Sequence, residues 1–257
     1  GHLDYDKVFL IDLYVNNETA EYINKNINNF ILIDHHKTGE FLNIYNWANV
    51  ITTKDNISTC GASLFYDYLC EELLVSKNKL MDRYVESVRL FDTGEYLVEK
   101  YKKEYIPEEL NVLFYLYFKR FPYKICKNMR RNKILNENDK EISRALLSRM
   151  RIYALNKSKE IINFKFEGYN IGVLFIEDPV NINNTFRVCL EKYPHCDFFM
   201  FVNMFNSISL RTNKPIDLAY IASKYNGGGH LSAAGMPYNK ELILKILNIK
   251  NNIVWQS

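Results

Sequence analysis

Phe30-Ile31-Leu32-Ile33-Asp34-His35-His36-Lys37-Thr38 is the stretch that decides the fold of this chain. Four apolar residues run unbroken into an aspartate and two histidines. A short continuous apolar run suits a strand of a parallel sheet, covered on both faces. Upstream, Val8-Phe9-Leu10-Ile11 is a second such run and also ends in an aspartate, Asp12. Between them, residues 17–26 suit a short helix with Asn16 or Asn17 as its cap. These signals predict a compact β-α-β unit with Asp12 and Asp34 at the carboxyl ends of neighbouring strands. Open α/β sheets build their sites at that edge.

Helices are expected next. Ser58 is read as the cap of a segment reaching Leu74, with Ala62, Phe65 and Leu69 on one face. Met81, Tyr84, Val85 and Val88 repeat at helical spacing, and that helix stops near Asp92-Thr93-Gly94. Pro107 opens an aromatic-rich helix that runs towards Phe118 and ends before Pro122. The aromatics around Tyr115 and Tyr117 suit core packing or an interface, and packing is the reading preferred. Residues 136–162 have few breakers and an apolar line through Ile142, Ala145, Leu146, Ile152 and Tyr153, which predicts a long connecting helix. Beyond it, residues 164–166 and 171–176 look like a hairpin joined through Gly168-Tyr169-Asn170, and residues 198–204 with 207–211 like a strand pair turning at Asn206. Asp217 caps a helix through Tyr225, and a last helix begins near Asn239.

Composition narrows the function. The chain has 257 residues and a formal net charge of +3, too little for broad coating by nucleic acid, so any basic surface must be local. The five cysteines are odd in number and form no C-x-x-C pair, which points to reduced thiols rather than a disulfide framework or a cysteine zinc site. No apolar run approaches the ~20 residues that span a bilayer, and no signal-peptide pattern opens the sequence. A cytoplasmic protein with no membrane partner is expected.

Two clusters carry chemistry. A carboxylate beside two imidazoles at a strand end offers oxygen and nitrogen ligands suited to Mn²⁺, Fe²⁺ or Zn²⁺. A bend after the strand would bring two of the three towards one crevice. The chain has only five histidines, and two of them stand consecutively behind Asp34, so a chance surface pair is the weaker reading. Asp12 and Asp92 each follow an apolar segment and can reach the same crevice. The second cluster is Gly227-Gly228-Gly229-His230. Three glycines permit positive φ and close backbone approach, which suits an anion-binding nest, with His230 as an added donor. A helix C-cap would need only one of them. Arg211 is the candidate phosphate clamp, because its planar fork binds oxygens bidentately.

These motifs, in this order, resemble the DHH phosphoesterase superfamily with its DHH-associated C-terminal domain. Asp12, Asp34-His35-His36-Lys37-Thr38, Phe91-Asp92-Thr93, Ile208-Ser209-Leu210-Arg211-Thr212, Gly227-Gly228-Gly229-His230 and Ala233-Ala234-Gly235 carry the likeness. The first three look closest to the NrnB-like nanoRNases, which hydrolyse very short oligoribonucleotides. The resemblance implies an α/β fold of two lobes. An N-terminal DHH domain with a parallel sheet would span 1–130, a helical linker 131–163, and a smaller DHH-associated, substrate-binding α/β domain 164–257.

It also implies two divalent metal ions, Mn²⁺ first among them. Asp12 would bridge the ions, His35 and Asp92 would complete the second ion's shell, and Asp34 would orient a ligand from behind. His36 would face the scissile phosphate, making Asp34, His35 and His36 the catalytic group. Arg211 and Gly227, Gly228, Gly229 and His230 would bind substrate. Short RNA or a dinucleotide is the implied partner, and a homodimer is allowed. The family's opening motif, H-x-D-x-D, matches Gly1-His2-Leu3-Asp4-Tyr5-Asp6 by letter only. Asp6 lies too close to Asp12 for a crossover between parallel strands, which needs about a dozen residues. The first domain is therefore expected to lack its first strand and motif in this chain. Hydrolysis of short oligoribonucleotides to mononucleotides is the leading expectation. Its alternatives are a 3′-phosphoadenosine 5′-phosphate phosphatase, a cyclic-dinucleotide phosphodiesterase, or a nucleotide-binding protein without catalysis.

Overall fold

A computed structural model describes residues 5–97, 105–178, 181–203 and 207–251. It divides into two compact units, 1–144 and 145–257. In the first, β1 (Val8–Ile11), α1 (Asn17–Asn26), β2 (Phe30–Asp34) and β3 (Ala48–Val50) form a three-stranded parallel sheet in the order β1-β2-β3. The expected β-α-β unit is present, and Asn16 caps α1 by accepting the Thr19 amide at 2.8 Å. β1 is apolar throughout and β2 up to Asp34, because both faces of these strands are covered. Leu32 and Val50 pack with Ala20 and Ile23 of α1 on one face, and Phe9 meets Phe65 and Tyr68 on the other.

A small hairpin follows, β4 (Thr53–Lys54) with β5 (Ile57–Ser58), and then α2 (Gly61–Glu71) and α3 (Lys79–Asp92). Ser58 ends a strand and is not the cap of α2. Cys60 caps it, with Ser63 completing the reciprocal capping box. The start at Gly61 turns Ala62 outward and Leu64 inward. α4 (Pro107–Tyr117) ends in a 3₁₀ turn, Phe118–Arg120, and α5 (Phe121–Met129) begins at once. Pro122 therefore starts a helix, where its missing N–H costs nothing, and does not mark a stop. Tyr115 is 57 % exposed, so the packing reading fails for it. Tyr117 is partly covered and donates its hydroxyl to the buried Asp139 at 2.9 Å.

α6 (Glu137–Lys157) has residues in both units. The expected helix ran on to Ile162, but a 3₁₀ turn at Ser158–Glu160 ends it and Ile162 opens a strand. The second unit holds β6 (Ile162–Phe166), β7 (Tyr169–Phe175), α7 (Ile182–Lys192), β8 (Phe198–Asn203), β9 (Ser207–Arg211), α8 (Leu218–Ser223), β10 (Gly228–Gly229), β11 (Ala233–Pro237) and α9 (Lys240–Asn251). Its sheet has six strands in the order β10-β11-β9-β8-β7-β6, with only β7 and β8 parallel. β8 is buried along its whole length. Phe198, Met200 and Val202 pack under α8 and α9, while Phe199 and Phe201 pack under α7. The hairpin turns at Glu167-Gly168, one residue earlier than expected, with Tyr169 and Asn170 already paired in β7. Both turn residues take positive φ, 51° and 85°, as a tight turn between twisted strands requires. Asn206, the second expected turn, lies outside the described residues, as do Gly1 to Asp4.

Candidate metal centre

β1 and β2 run side by side in register, Ile11 opposite Ile33, so Asp12 and Asp34 leave the sheet at one edge. Asp12 takes φ 60°, a left-handed conformation that aspartate tolerates better than most residues. Its amide still reaches the Ile33 carbonyl at 2.9 Å. The side chain lies against Gly61, the first residue of α2. A Cβ on Gly61 would stand 2.6 Å from the Asp12 Cβ, so only glycine fits there. Strand geometry ends at Asp34, and the chain bends as the sequence led us to expect. The His35 and His36 rings consequently lie side by side, with centroids 4.5 Å apart.

His35 is 6 % exposed and its Nε2 sits between two carboxylates, 3.1 Å from Asp12 Oδ1 and 3.3 Å from Asp92 Oδ2. Burial opposes a charge on this ring, but the two carboxylates outweigh it and raise its pKa above the ordinary imidazole value. His36 Nδ1 is 2.7 Å from Asp34 Oδ1 and 3.9 Å from Asp12 Oδ1. That contact with Asp34, first, raises the pKa of His36 against the opposing effect of burial. Asp34 itself is fully buried; burial would lift its pKa, and the His36 ring does most to hold it below the usual carboxylate range.

Asp92 comes to the cluster from α3, whose last turn is fixed by Arg89. That guanidinium is buried, forks onto Glu86 and Glu95, and donates to the Ser58 carbonyl at 2.9 Å. A carboxylate on the last residue of a helix faces the negative end of the helix dipole. Burial pushes the Asp92 pKa up. Neither feature helps the fold, and perturbed ionisable groups gathered at a sheet edge mark functional sites.

A ligand atom from each of Asp12, Asp34, His35 and His36 lies within 4.8 Å of the others. Two carboxylates and two imidazoles form a donor set for a divalent transition metal. Asp34 Oδ2 is buried with no hydrogen-bond partner among the described residues, beside Gly39, where a Cβ would come within 3.1 Å of it. An orphaned buried oxygen in such a cluster fits a cation as its partner. Asp6, the one described aspartate of the letter match H-x-D-x-D, is exposed before β1.

The other expected residues fall in the second unit. Arg211 ends β9 in register with Ala233 of β11, so it stands next to the turn that joins β10 to β11. It donates to Asn183 Oδ1 at 3.3 Å and to the Leu210 carbonyl at 2.9 Å. Gly228 and Gly229 form β10, and the turn closes through the His230 amide on the Ala233 carbonyl at 2.8 Å. Packing explains two of the three glycines: a Cβ on Gly227 would meet the Gly235 carbonyl at 2.2 Å, and one on Gly229 the Ala233 carbonyl at 2.6 Å. A Cβ on Gly228 would meet nothing within 4 Å among the described residues.

Sequence reasoning missed Gly61 and Arg89. Glu86 three residues before Arg89 was a local signal for the ion pair. The need for glycine at 61 depends on contact with a residue far upstream, and no local pattern announces it.

No protein-family model matches the chain. It is 28 % identical over 254 residues to the oligoribonuclease NrnB of Bacillus subtilis, an alignment covering 92 % of this chain and 60 % of NrnB. The chain thus spans less than two thirds of that relative's length. It is 24 % identical over 280 residues to a 3′,5′-cyclic-nucleotide phosphodiesterase of Helicobacter pylori, covering 89 % of this chain and 76 % of the relative. Among solved structures, it is similar to RecJ from Thermus thermophilus, crystallised with Mn²⁺, with a TM-score of 0.52 and 15 % identity over 93 % of this chain and 43 % of RecJ. The fold is of the DHH type. Over most of its length the chain is a homologue of NrnB.

Proposed function

We propose that this chain is the hydrolytic part of a metal-dependent phosphodiesterase that cleaves short oligoribonucleotides, dinucleotides included, to mononucleotides. One observation carries the reading: His35 Nε2 lies between the Asp12 and Asp92 carboxylates at the carboxyl edge of a parallel sheet, in a homologue of an oligoribonuclease. We assign Asp12, His35 and Asp92 as ligands of a divalent cation, with Mn²⁺ as the proposed ion. A second ion of the family pattern belongs to the same proposal. Such cations, when bound, acidify water and neutralise charge that develops on phosphoryl oxygens.

The chain's own residues do the positioning. Asp34 holds the His36 ring through Nδ1, which fixes its orientation and its proton. We assign His36 to the scissile phosphate. Arg211 offers a fork for a phosphate, and Gly228, with open space at its Cα, lets a nucleotide come against the backbone. Arg211 and the Gly227–His230 hairpin are therefore assigned to substrate. Hydrolysis of a phosphodiester needs little from a protein beyond placement and charge.

The test is a labelled RNA dinucleotide incubated with Mn²⁺ and either wild type or His35→Ala. Mononucleotide release by wild type alone supports the assignment, whereas tight binding without release contradicts it and favours a nucleotide-binding protein. The Helicobacter pylori relative favours a second reading, hydrolysis of 3′,5′-cyclic nucleotides. Preferential turnover of a cyclic mononucleotide in the same assay would select it.

A further inference from the structure

Residues 110–136 contain seven lysines and arginines and not one aspartate or glutamate, against a net charge of +3 for the whole chain. This run spans most of α4, the 3₁₀ turn after it, and α5. The structure sorts its residues cleanly. Phe121, Ile125 and Asn128 form the buried side of α5, and Tyr123, Lys127 and Arg130 share the opposite, exposed side at helical spacing. Lys119 and Arg120 are exposed in the turn between the helices. Lys124 alone of these cations has an ion pair among the described residues, at 3.0 Å from Asp139 Oδ1.

Aromatic rings stand among the cations. Phe118 is 61 % exposed and Tyr123 69 %, with Phe114 and Tyr115 exposed beside them. Phe118 is also held at φ 43°, a strained backbone for a bulky side chain. The turn would form more easily with glycine, which has no Cβ. A strained backbone that holds a large aromatic in water serves neither packing nor helix formation, and such strain collects at functional positions.

We propose that this face, built on Phe118 and Tyr123 with Lys119, Arg120, Lys127 and Arg130, is a docking surface for single-stranded RNA. Its elements carry none of the metal-ligand residues. Unpaired cations attract the phosphate backbone, and exposed rings offer stacking platforms to bases that are not already paired. A duplex keeps its base faces stacked within the helix, so the rings select a single strand. The choice of RNA over DNA rests on the function proposed above; the surface itself rests on charge and exposed rings.

The test is fluorescence anisotropy with a labelled oligouridine of about 12 nucleotides, long enough to cross one such platform. EDTA in the buffer prevents cleavage, so binding is read apart from hydrolysis. Lys127→Glu/Arg130→Glu weakens binding about tenfold or more and flattens its salt dependence. Phe118→Asn weakens it about tenfold with little change in salt dependence. Both variants keep the wild-type circular dichroism and melt within a few degrees of wild type, because the substituted side chains are exposed. Dinucleotide hydrolysis in Mn²⁺ stays at the wild-type rate. Unchanged affinity in both variants overturns the proposal, as does equal affinity for a duplex of the same length. A wild-type dimer broken by Phe118→Asn also overturns it, and assigns the face to a second copy. A chain that binds the oligomer in EDTA but never cleaves a dinucleotide supports the surface while removing the hydrolytic reading.

Discussion

Two edges of this molecule carry the residues that stand out in its sequence, and they differ in how much of themselves the fold requires. At the β1–β2 edge, Asp12, Asp34, His35 and His36 crowd ionisable groups together, and the buried Asp34 Oδ2 has no hydrogen-bond partner among the described residues. Packing gains nothing from this arrangement. At the β10–β11 hairpin, Gly227 and Gly229 are needed simply so that two backbones can approach, and only Gly228 exceeds that need. A motif is evidence for chemistry to the extent that packing leaves it unexplained. By that measure the histidine cluster is strong evidence and the glycine run is one residue's worth.

Substitutions sharpen the contrast. The largest effect belongs to His35→Ala, which removes the imidazole between Asp12 and Asp92; kcat for the RNA dinucleotide falls on the order of 10²–10³-fold, measured as mononucleotide release. Gly61→Ala comes next. Its new methyl group displaces Asp12, and a shift of that size costs about 100-fold in activity. It also destabilises by about 1–3 kcal/mol, read by denaturant unfolding. Gly227→Ala reverses that balance. Its Cβ meets the Gly235 carbonyl and the Met236 side chain, so stability falls by about 1–3 kcal/mol. The protein that remains folded binds Mn²⁺ as wild type does. Gly228→Ala is the smallest change, within about 0.5 kcal/mol in stability. A higher KM in that variant places substrate against the hairpin; an unchanged KM returns all three glycines to packing.

The ease of reading each element from sequence followed the range of its causes. β1, α1 and β2 were legible because apolar runs and the Asn16 cap act within a few residues. Asp92 was legible for the same reason, at the end of a strongly periodic helix. α7 was not, because Asn183, Asn184 and Thr185 dilute its buried line of Ile182, Phe186 and Cys189 with weak helix formers. Without α7, nothing in the sequence signalled that β7 and β8 pair in parallel. Pro122 misled because a proline that forbids a helix interior also favours a helix start. At the site, the clustered carboxylates and imidazoles were visible in the letters. The supports were not: Gly61 answers to Asp12, and Arg89 to Ser58 and Glu95, across folds of the chain.

Direct Mn²⁺ binding to the folded protein tests the central assignment most closely. Electron paramagnetic resonance of free Mn²⁺, with increasing protein, reports the ion held by the chain independently of any substrate. The cluster of Asp12, His35 and Asp92 predicts saturable uptake by wild type and its loss in Asp12→Asn/His35→Ala, with the secondary structure of that variant intact by circular dichroism. Equal uptake by the folded double variant would contradict the account and place the metal, and with it the chemistry, elsewhere in the chain.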